Sequence, residues 1–212
     1  MYRKNKIDHV ICVGDQKDDK EVCKKAGASW VEYKNKPLGE KWNAGFLKAK
    51  DYNPDAVLYV GSSDWVSDNW IEVTEPFLNK FDIVGKTDFN MLHYGKERKV
   101  VHWTGYQAGS WREHEPIGIG RMLSAKFMEK VNWQPVASEL NNSMDGSMIQ
   151  KLNKCGGSLF LFNSIEIQSL SLSCDEWSNL HKENIDKSLP NTYPIFKPEF
   201  FLKTWFPEAM EL

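Results

Sequence analysis

Hydrophobic and polar positions alternate along the first third of the chain between short apolar runs and amphipathic stretches. Val10-Ile-Cys-Val13 is a compact apolar run stopped by Gly14-Asp15. Runs of this length suit strands buried on both faces of a parallel sheet. Lys20–Gly27 then reads as a short helix closed by glycine. Ser29–Tyr33 offers a second strand and Asn35–Pro37 a turn. From Leu38 to Lys50 the spacing of Trp42, Phe46 and Ala49 predicts a helix with one apolar face, broken at Asn53-Pro54. Ala56-Val-Leu-Tyr-Val60 is the strongest strand signal in the chain and runs directly into Gly61-Ser-Ser-Asp64.

Beyond that point the pattern predicts a helix over 69–79 with Ser67 as its N-cap and Ile71, Thr74, Phe77 and Leu78 inward. Phe81–Val84 follows as a strand. Residues 87–121 interleave aromatics and histidines with glycines and read as hairpins and loops packed over a cleft. Ser124–Val131 and Asp145–Cys155 resume helical spacing, Leu159–Phe162 is a strand, and the Pro- and Phe-rich tail from Pro190 is expected to lie across the surface. Strands alternating with helices define an α/β fold with a mixed, mostly parallel central sheet flanked by helices. No repeat or linker divides the chain, so residues 1–212 are expected to form one domain.

Forty-one per cent hydrophobic residues suffices for one continuous core. Basic and acidic residues number 27 and 29, which argues against a protein that grips a nucleic-acid backbone. The four cysteines, Cys12, Cys23, Cys155 and Cys174, show neither zinc-ligand spacing nor a Cys-x-x-Cys pair. The basic N-terminus leads into a strand broken by Asp8 and His9, unlike a signal peptide, and no run approaches a membrane span. A soluble, cytoplasmic protein is the expectation.

Open α/β sheets bind ligands outside the carboxyl ends of their strands, which directs attention to Gly14-Asp15, Tyr33–Asn35 and Gly61–Asp64. A dinucleotide fingerprint is missing after the first strand, and so is a phosphate loop with a Walker-type lysine. Asp64, at the tip of the best strand, has two readings. Its carboxylate can hold Mg²⁺ or Mn²⁺, hard ions that bridge phosphate oxygens, or it can cap the turn. Arg121 behind Gly118-Ile-Gly120 can reach phosphate or sugar hydroxyls, or form a structural ion pair.

Leu38-Gly-Glu-Lys-Trp-Asn-Ala-Gly-Phe46 followed by Ala56-Val-Leu-Tyr-Val-Gly-Ser-Ser-Asp-Trp65 resembles the GT-A glycosyltransferases. In that family a helix carrying Lys/Arg and Asn precedes a strand ending in an Asp-x-Asp metal motif. Gly118-Ile-Gly-Arg-Met-Leu-Ser124 and Asn142-Ser-Met-Asp-Gly146 are similar to the family's acceptor-side strand and catalytic carboxylate. More narrowly, the chain resembles glycosyltransferase domains encoded by chloroviruses, large DNA viruses of algae, which would place it in the host cytoplasm.

The resemblance implies a nucleotide-diphospho-sugar transferase-like fold over about residues 7 to 165. It implies a nucleoside diphosphate sugar, UDP-sugar favoured, as donor and a glycan hydroxyl as acceptor. The donor would be held by Val13, Gly14, Asp15, Lys41, Asn43, Ser62, Ser63 and Arg121. Asp64 would hold Mn²⁺ or Mg²⁺, and Asp145 would be the general base of an inverting transfer of a hexose or deoxyhexose. Asp145 also suits a helix N-cap. Glu115 and Asp175 are alternative bases, His181 is an extra metal ligand to consider, and Trp103 and Trp111 are acceptor-stacking surfaces or core. The sequence departs from the family at the first carboxylate of the metal motif, where Ser62 stands. That departure opens the alternative of a non-catalytic nucleotide- or glycan-binding module.

Overall fold

The computed structural model describes residues 7–94, 98–173 and 191–212. The chain opens with β1 (Ile11–Gly14), α1 (Lys17–Lys25), β2 (Ser29–Glu32), α2 (Leu38–Lys50) and β3 (Ala56–Tyr59), as the apolar runs predict. A turn at Ser62-Ser63 then reverses the chain into β4 (Asp64–Val66). Pro76 has no N–H to donate to a continuing helix. The segment expected as one helix is accordingly a single turn, α3 (Trp70–Thr74), followed by a 3-10 turn over Glu75–Phe77. Its N-cap is Asn69; the Ser67 hydroxyl instead accepts from the Gln168 amide at 3.1 Å.

There follow β5 (Ile83–Lys86), the hairpin of β6 (Phe89–Tyr94) and β7 (Arg98–Trp103), and β8 (Arg121–Ser124), which runs straight into α4 (Ala125–Lys130). Ser124 accepts a capping hydrogen bond from the Phe127 amide. Helix α5 (Met144–Lys154), β9 (Leu159–Phe162), β10 (Ser169–Ser173), the edge strand β11 (Thr192–Pro194) and α6 (Pro198–Trp205) complete the described elements.

Among the described residues the strands form three hydrogen-bonded sheets. β1 and β2 pair in parallel; a four-stranded sheet runs β3-β8-β5-β9; a five-stranded sheet runs β11-β7-β6-β10-β4. The expected mixed arrangement is present, but among the described residues antiparallel pairs outnumber parallel ones, against the expected mostly parallel sheet. β8 lies antiparallel between β3 and β5, and only the pairs β1–β2, β5–β9 and β6–β10 are parallel. Alternation along β5 and β8 sends Ile83 and Leu123 to one face and Val84 and Met122 to the other. The first face is packed by Phe46 of α2, Phe127 of α4 and Met148 of α5. The second packs Trp70 and Val66, and α6 covers the five-stranded sheet through Leu202. No described helix is long and apolar enough to cross a membrane.

Candidate active site

The carboxyl end of β3 is where the sequence-derived residues meet. Tyr59, its last residue, pairs in register with Arg121, the first residue of β8. Helix α2 crosses behind this point. Its Trp42 ring lies 4.3 Å from the Tyr59 ring, and Phe46 lies 6.1 Å away. The same helix meets β1 where Gly45 faces Val13, so closely that a Cβ at Gly45 would stand 2.7 Å from the valine methyl. One helix thereby places the end of β1, carrying Val13, Gly14 and Asp15, beside the end of β3.

Two carboxylates act on Tyr59 through their charge. Burial pushes its phenol well above the ordinary range, and the negative charges of Asp145 and then Asp64 add to that, with the Arg121 guanidinium opposing. Tyr59 is thus a neutral phenol between two acids. Asp64 follows the Ser62-Ser63 turn and opens β4, its amide bonded to the Gly61 carbonyl at 3.1 Å. Its carboxylate folds over the Gly61 Cα, where a Cβ would collide with Oδ2.

Asp145 occupies the first turn of α5 but does not cap it. Ser143 is the N-cap, and the Asp145 Oδ1 atom is sealed from solvent without a hydrogen-bond partner. About a third of the side chain, 32 %, remains exposed. The carboxyl group rests on Gly118, where a Cβ would stand 2.9 Å from Oδ2 and 3.2 Å from Oδ1.

A third wall comes from the loop between β7 and β8. Tyr106 is half-buried and near enough to Asp145 that the carboxylate, after desolvation, helps raise its phenol, while Arg112 opposes. The Arg112 guanidinium stacks 4.2 Å over the Tyr106 ring and 5.4 Å from Trp111, and its Nε donates to Glu115 Oε2 at 2.7 Å. Glu115, an alternative base by sequence, is committed to this ion pair. Trp111 is 83 % exposed, whereas Trp103 packs edge-on against Phe89 and Tyr106. Of the two tryptophans, Trp111 alone offers a free face.

Other residues fall differently. Asn43 is buried and faces away from the cleft. Its amide nitrogen donates to the Val136 carbonyl and to Ser138 Oγ, both at 3.0 Å, and its oxygen accepts from the Val136 amide. These bonds fasten α2 to residues 136–138. Arg121 is fully buried, with its guanidinium held by the Ile117, Pro116 and Asp145 carbonyls. Its Nη2 also stands 3.7 Å from Asp145 Oδ1, the structural ion pair that is one of its two readings. Lys41 lies at the surface and donates to Asn35 Oδ1 at 2.6 Å. Asp15 accepts from Gln16 on the exposed rim. Asp175 and His181 lie outside the described residues. Among the described residues no three or more His, Cys, Asp or Glu side chains gather as a ready metal site.

Tyr59, Tyr106, Arg112 and Gly118 are site residues that the sequence reading left unassigned. Tyr59 carried a usable signal, as the last residue of the strongest strand and five before Asp64. The other three sit in a loop whose course is set by tertiary packing.

No family model matches the chain, and no curated protein does. Among solved structures, A197 from STIV is similar at 12% identity with a TM-score of 0.40, over 76% of this chain and 82% of that one. That likeness is too loose to carry an argument. The functional reading rests on the site.

Proposed function

We propose that the chain is a glycosyltransferase that moves a hexose or deoxyhexose from a nucleoside diphosphate sugar, UDP-sugar favoured, to a glycan hydroxyl with inversion. The observation that carries the reading is that Asp64 and Asp145, far apart in sequence, both lie within electrostatic reach of Tyr59 at the carboxyl end of β3, each packed on a glycine. Asp145 has the environment of a base. One carboxylate oxygen faces a guanidinium, no hydrogen bond caps the group, and part of it opens to solvent. In the transfer, Asp145 takes the acceptor hydroxyl proton as that oxygen bonds to the anomeric carbon. The carbon–oxygen bond to the diphosphate breaks, and the diphosphate leaves with the electron pair.

Asp64 with the Ser62 and Ser63 hydroxyls supplies oxygen donors that suit Mn²⁺ or Mg²⁺. One protein carboxylate alone holds such an ion weakly, so the donor's diphosphate would supply further ligands. When bound, the ion would stabilise charge developing on the leaving diphosphate. Val13, Gly14, Asp15 and Lys41 would contact the nucleotide, beside the end of β1. Trp111 supplies a flat apolar face for the acceptor.

The test is nucleoside diphosphate release from UDP-glucose, UDP-galactose, GDP-mannose and GDP-fucose, each with Mn²⁺ or with chelator. Asp145→Ala should lower turnover by about 10²-fold or more while nucleotide binding persists. Asp64→Ala should abolish turnover and the Mn²⁺ dependence of UDP binding by titration calorimetry. Full turnover in Asp145→Ala removes the base assignment.

Ser62, standing where the family has a carboxylate, favours a second reading: a module that binds nucleotide or glycan without reaction. Saturable UDP binding with no release from any donor selects it.

A further inference from the structure

We infer that Arg121 is a positioning residue that, with the bare Cα of Gly118, fixes the Asp145 carboxylate so that Oδ2 faces the acceptor. The inference rests on the reading of Asp145 as the base and deepens it.

Arg121 is an expensive residue to bury, and every part of its fork has a use. It has no exposed side-chain surface. Nε donates to the Ile117 carbonyl at 2.7 Å, Nη2 to Pro116 at 2.6 Å and Nη1 to Asp145 at 3.1 Å. A planar guanidinium can hold three carbonyls in fixed directions, which an ammonium cannot. The loop at 116–118 and the start of α5 are thereby locked to the first residue of β8. Among the described residues the only carboxylate ion-paired with Arg121 is that of Asp145, with Nη2 standing 3.7 Å from Oδ1. This distance is too long for a hydrogen bond but short enough for strong attraction in a buried setting.

The two carboxylate oxygens are consequently unequal. Oδ1 is sealed, without a hydrogen bond, and turned to the guanidinium. The exposed part of the side chain therefore lies on the Oδ2 side. Gly118 sets the other limit, because the three atoms nearest to its missing Cβ all belong to the Asp145 carboxyl group. Its backbone is not in the left-handed region, so alanine is conformationally acceptable there and acts only by pushing the carboxylate. The remaining charged and titratable neighbours of Arg121 are Tyr106, Arg112 and Glu115, and Tyr59 lies on the Asp145 side. The ion pair between Arg112 and Glu115 leaves neither group available to replace Arg121.

The experiment compares wild type with Gly118→Ala, Arg121→Lys and Arg121→Met. The readouts are kcat for nucleoside diphosphate release, the Kd for UDP, and ¹³C NMR of labelled aspartate with the Asp145 carboxyl resonance assigned through Asp145→Asn. Gly118→Ala is expected to lower kcat by about tenfold or more, since small misplacements of a reacting group are costly. Its Kd for UDP should stay within about twofold, the split expected when only a transition-state contact is lost. The Asp145 resonance should move in the same variant.

Arg121→Lys, which keeps the charge and loses the fork, should fall between wild type and Arg121→Met. Should Arg121→Met not fold, Gly118→Ala and Arg121→Lys decide the matter. An unmoved Asp145 resonance with wild-type kcat in Gly118→Ala overturns the inference, as does a parallel loss of kcat and UDP affinity. If wild type releases nucleotide from none of the donors, the proposed function fails. The NMR displacement then still reports whether Gly118 and Arg121 hold the carboxylate.

Discussion

Each of the two carboxylates at the strand ends rests on a glycine, Asp64 on Gly61 and Asp145 on Gly118. A missing Cβ lets a short side chain fold back over the backbone, and that contact fixes its rotamer better than solvent can. Gly61→Ala should therefore push Asp64 out of place. The expected result is a Kd for Mn²⁺-dependent UDP binding raised about tenfold, with Mn²⁺-free binding and the thermal midpoint nearly unchanged, measured by titration calorimetry and thermal unfolding. Equal loss in both metal conditions would instead place Asp64 outside the ion's reach. At this scale the sequence was informative for residues whose neighbours are close in the chain. Asp64 is legible because it follows the strongest strand across a short turn, and Asp145 because it opens a helical pattern after a polar segment rich in asparagine and serine. The partners that Asn43 and Arg121 make within the protein are not legible in the sequence, for one reason. Amides and guanidiniums suit phosphates and backbone carbonyls equally, and their actual partners are backbone groups, which carry no side-chain signature. Asn43 is fastened ninety-three residues away, at Val136.

The elements themselves were legible where an apolar run had a clear period, and their directions were not. β1, α1, β2, α2 and β3 follow the hydrophobic pattern closely. The reading faltered at β8, whose four residues run without a break into α4. A short apolar run next to a helix cannot be told from its first turn by periodicity. β4 and β10 are likewise too short and too rich in serine or aspartate to stand out. These strands bring in most of the antiparallel pairing. A buried chain of polar groups helps seat the hairpin against the four-stranded sheet. The Lys86 ammonium at the end of β5 donates to Asp88, and Asp88 Oδ2 lies 3.4 Å from His102 Nε2 on β7. His102 Nδ1 is 3.0 Å from Asn90 Oδ1 on β6. Burial lowers the Lys86 and His102 pKa values, and Asp88 opposes this in both. Asp88→Ala leaves a cation inside the protein with no counter-charge and should destabilise it by about 3–5 kcal/mol. Urea unfolding at pH 7 measures the loss. Adding Lys86→Met to Asp88→Ala should restore much of it, because two apolar replacements remove the uncompensated charge. A double variant as unstable as Asp88→Ala would show that the hairpin depends on something other than this pair.

The molecule as a whole separates an anchoring end from the end that carries the proposed site, and acid should reveal the difference. Across the four-stranded sheet from Tyr59 and Arg121, Asp82 precedes β5 and gathers three elements. Its carboxylate accepts from the Ser158 amide at 2.9 Å, just before β9, and from Lys130 Nζ of α4 at 3.2 Å, while its carbonyl accepts from Ser124 at the end of β8. Burial alone would raise the Asp82 pKa. The Ser158 backbone bond and then Lys130 outweigh that, leaving the carboxyl below its ordinary value. The folded chain therefore binds this proton more weakly than the unfolded chain. Above the unfolded pKa, about 3.9, the full stabilisation is present. As the pH falls past that point the unfolded state takes up the proton first, and the stabilisation drains away until the folded pKa is passed. The contribution of Asp82 to wild-type stability should consequently be lost as the pH falls below about 4. Asp82→Asn, which cannot ionise, should be weaker by about 1–3 kcal/mol at pH 7 and show a shallower acid limb. Urea midpoints across the pH series give both slopes. UDP affinity at pH 7 should be the same in the two proteins, because the anchor lies at the far end of β3 and β8 from the cleft. An equal acid slope would assign the acid sensitivity to other carboxylates, and a lost UDP affinity would mean that the two ends are coupled through β8.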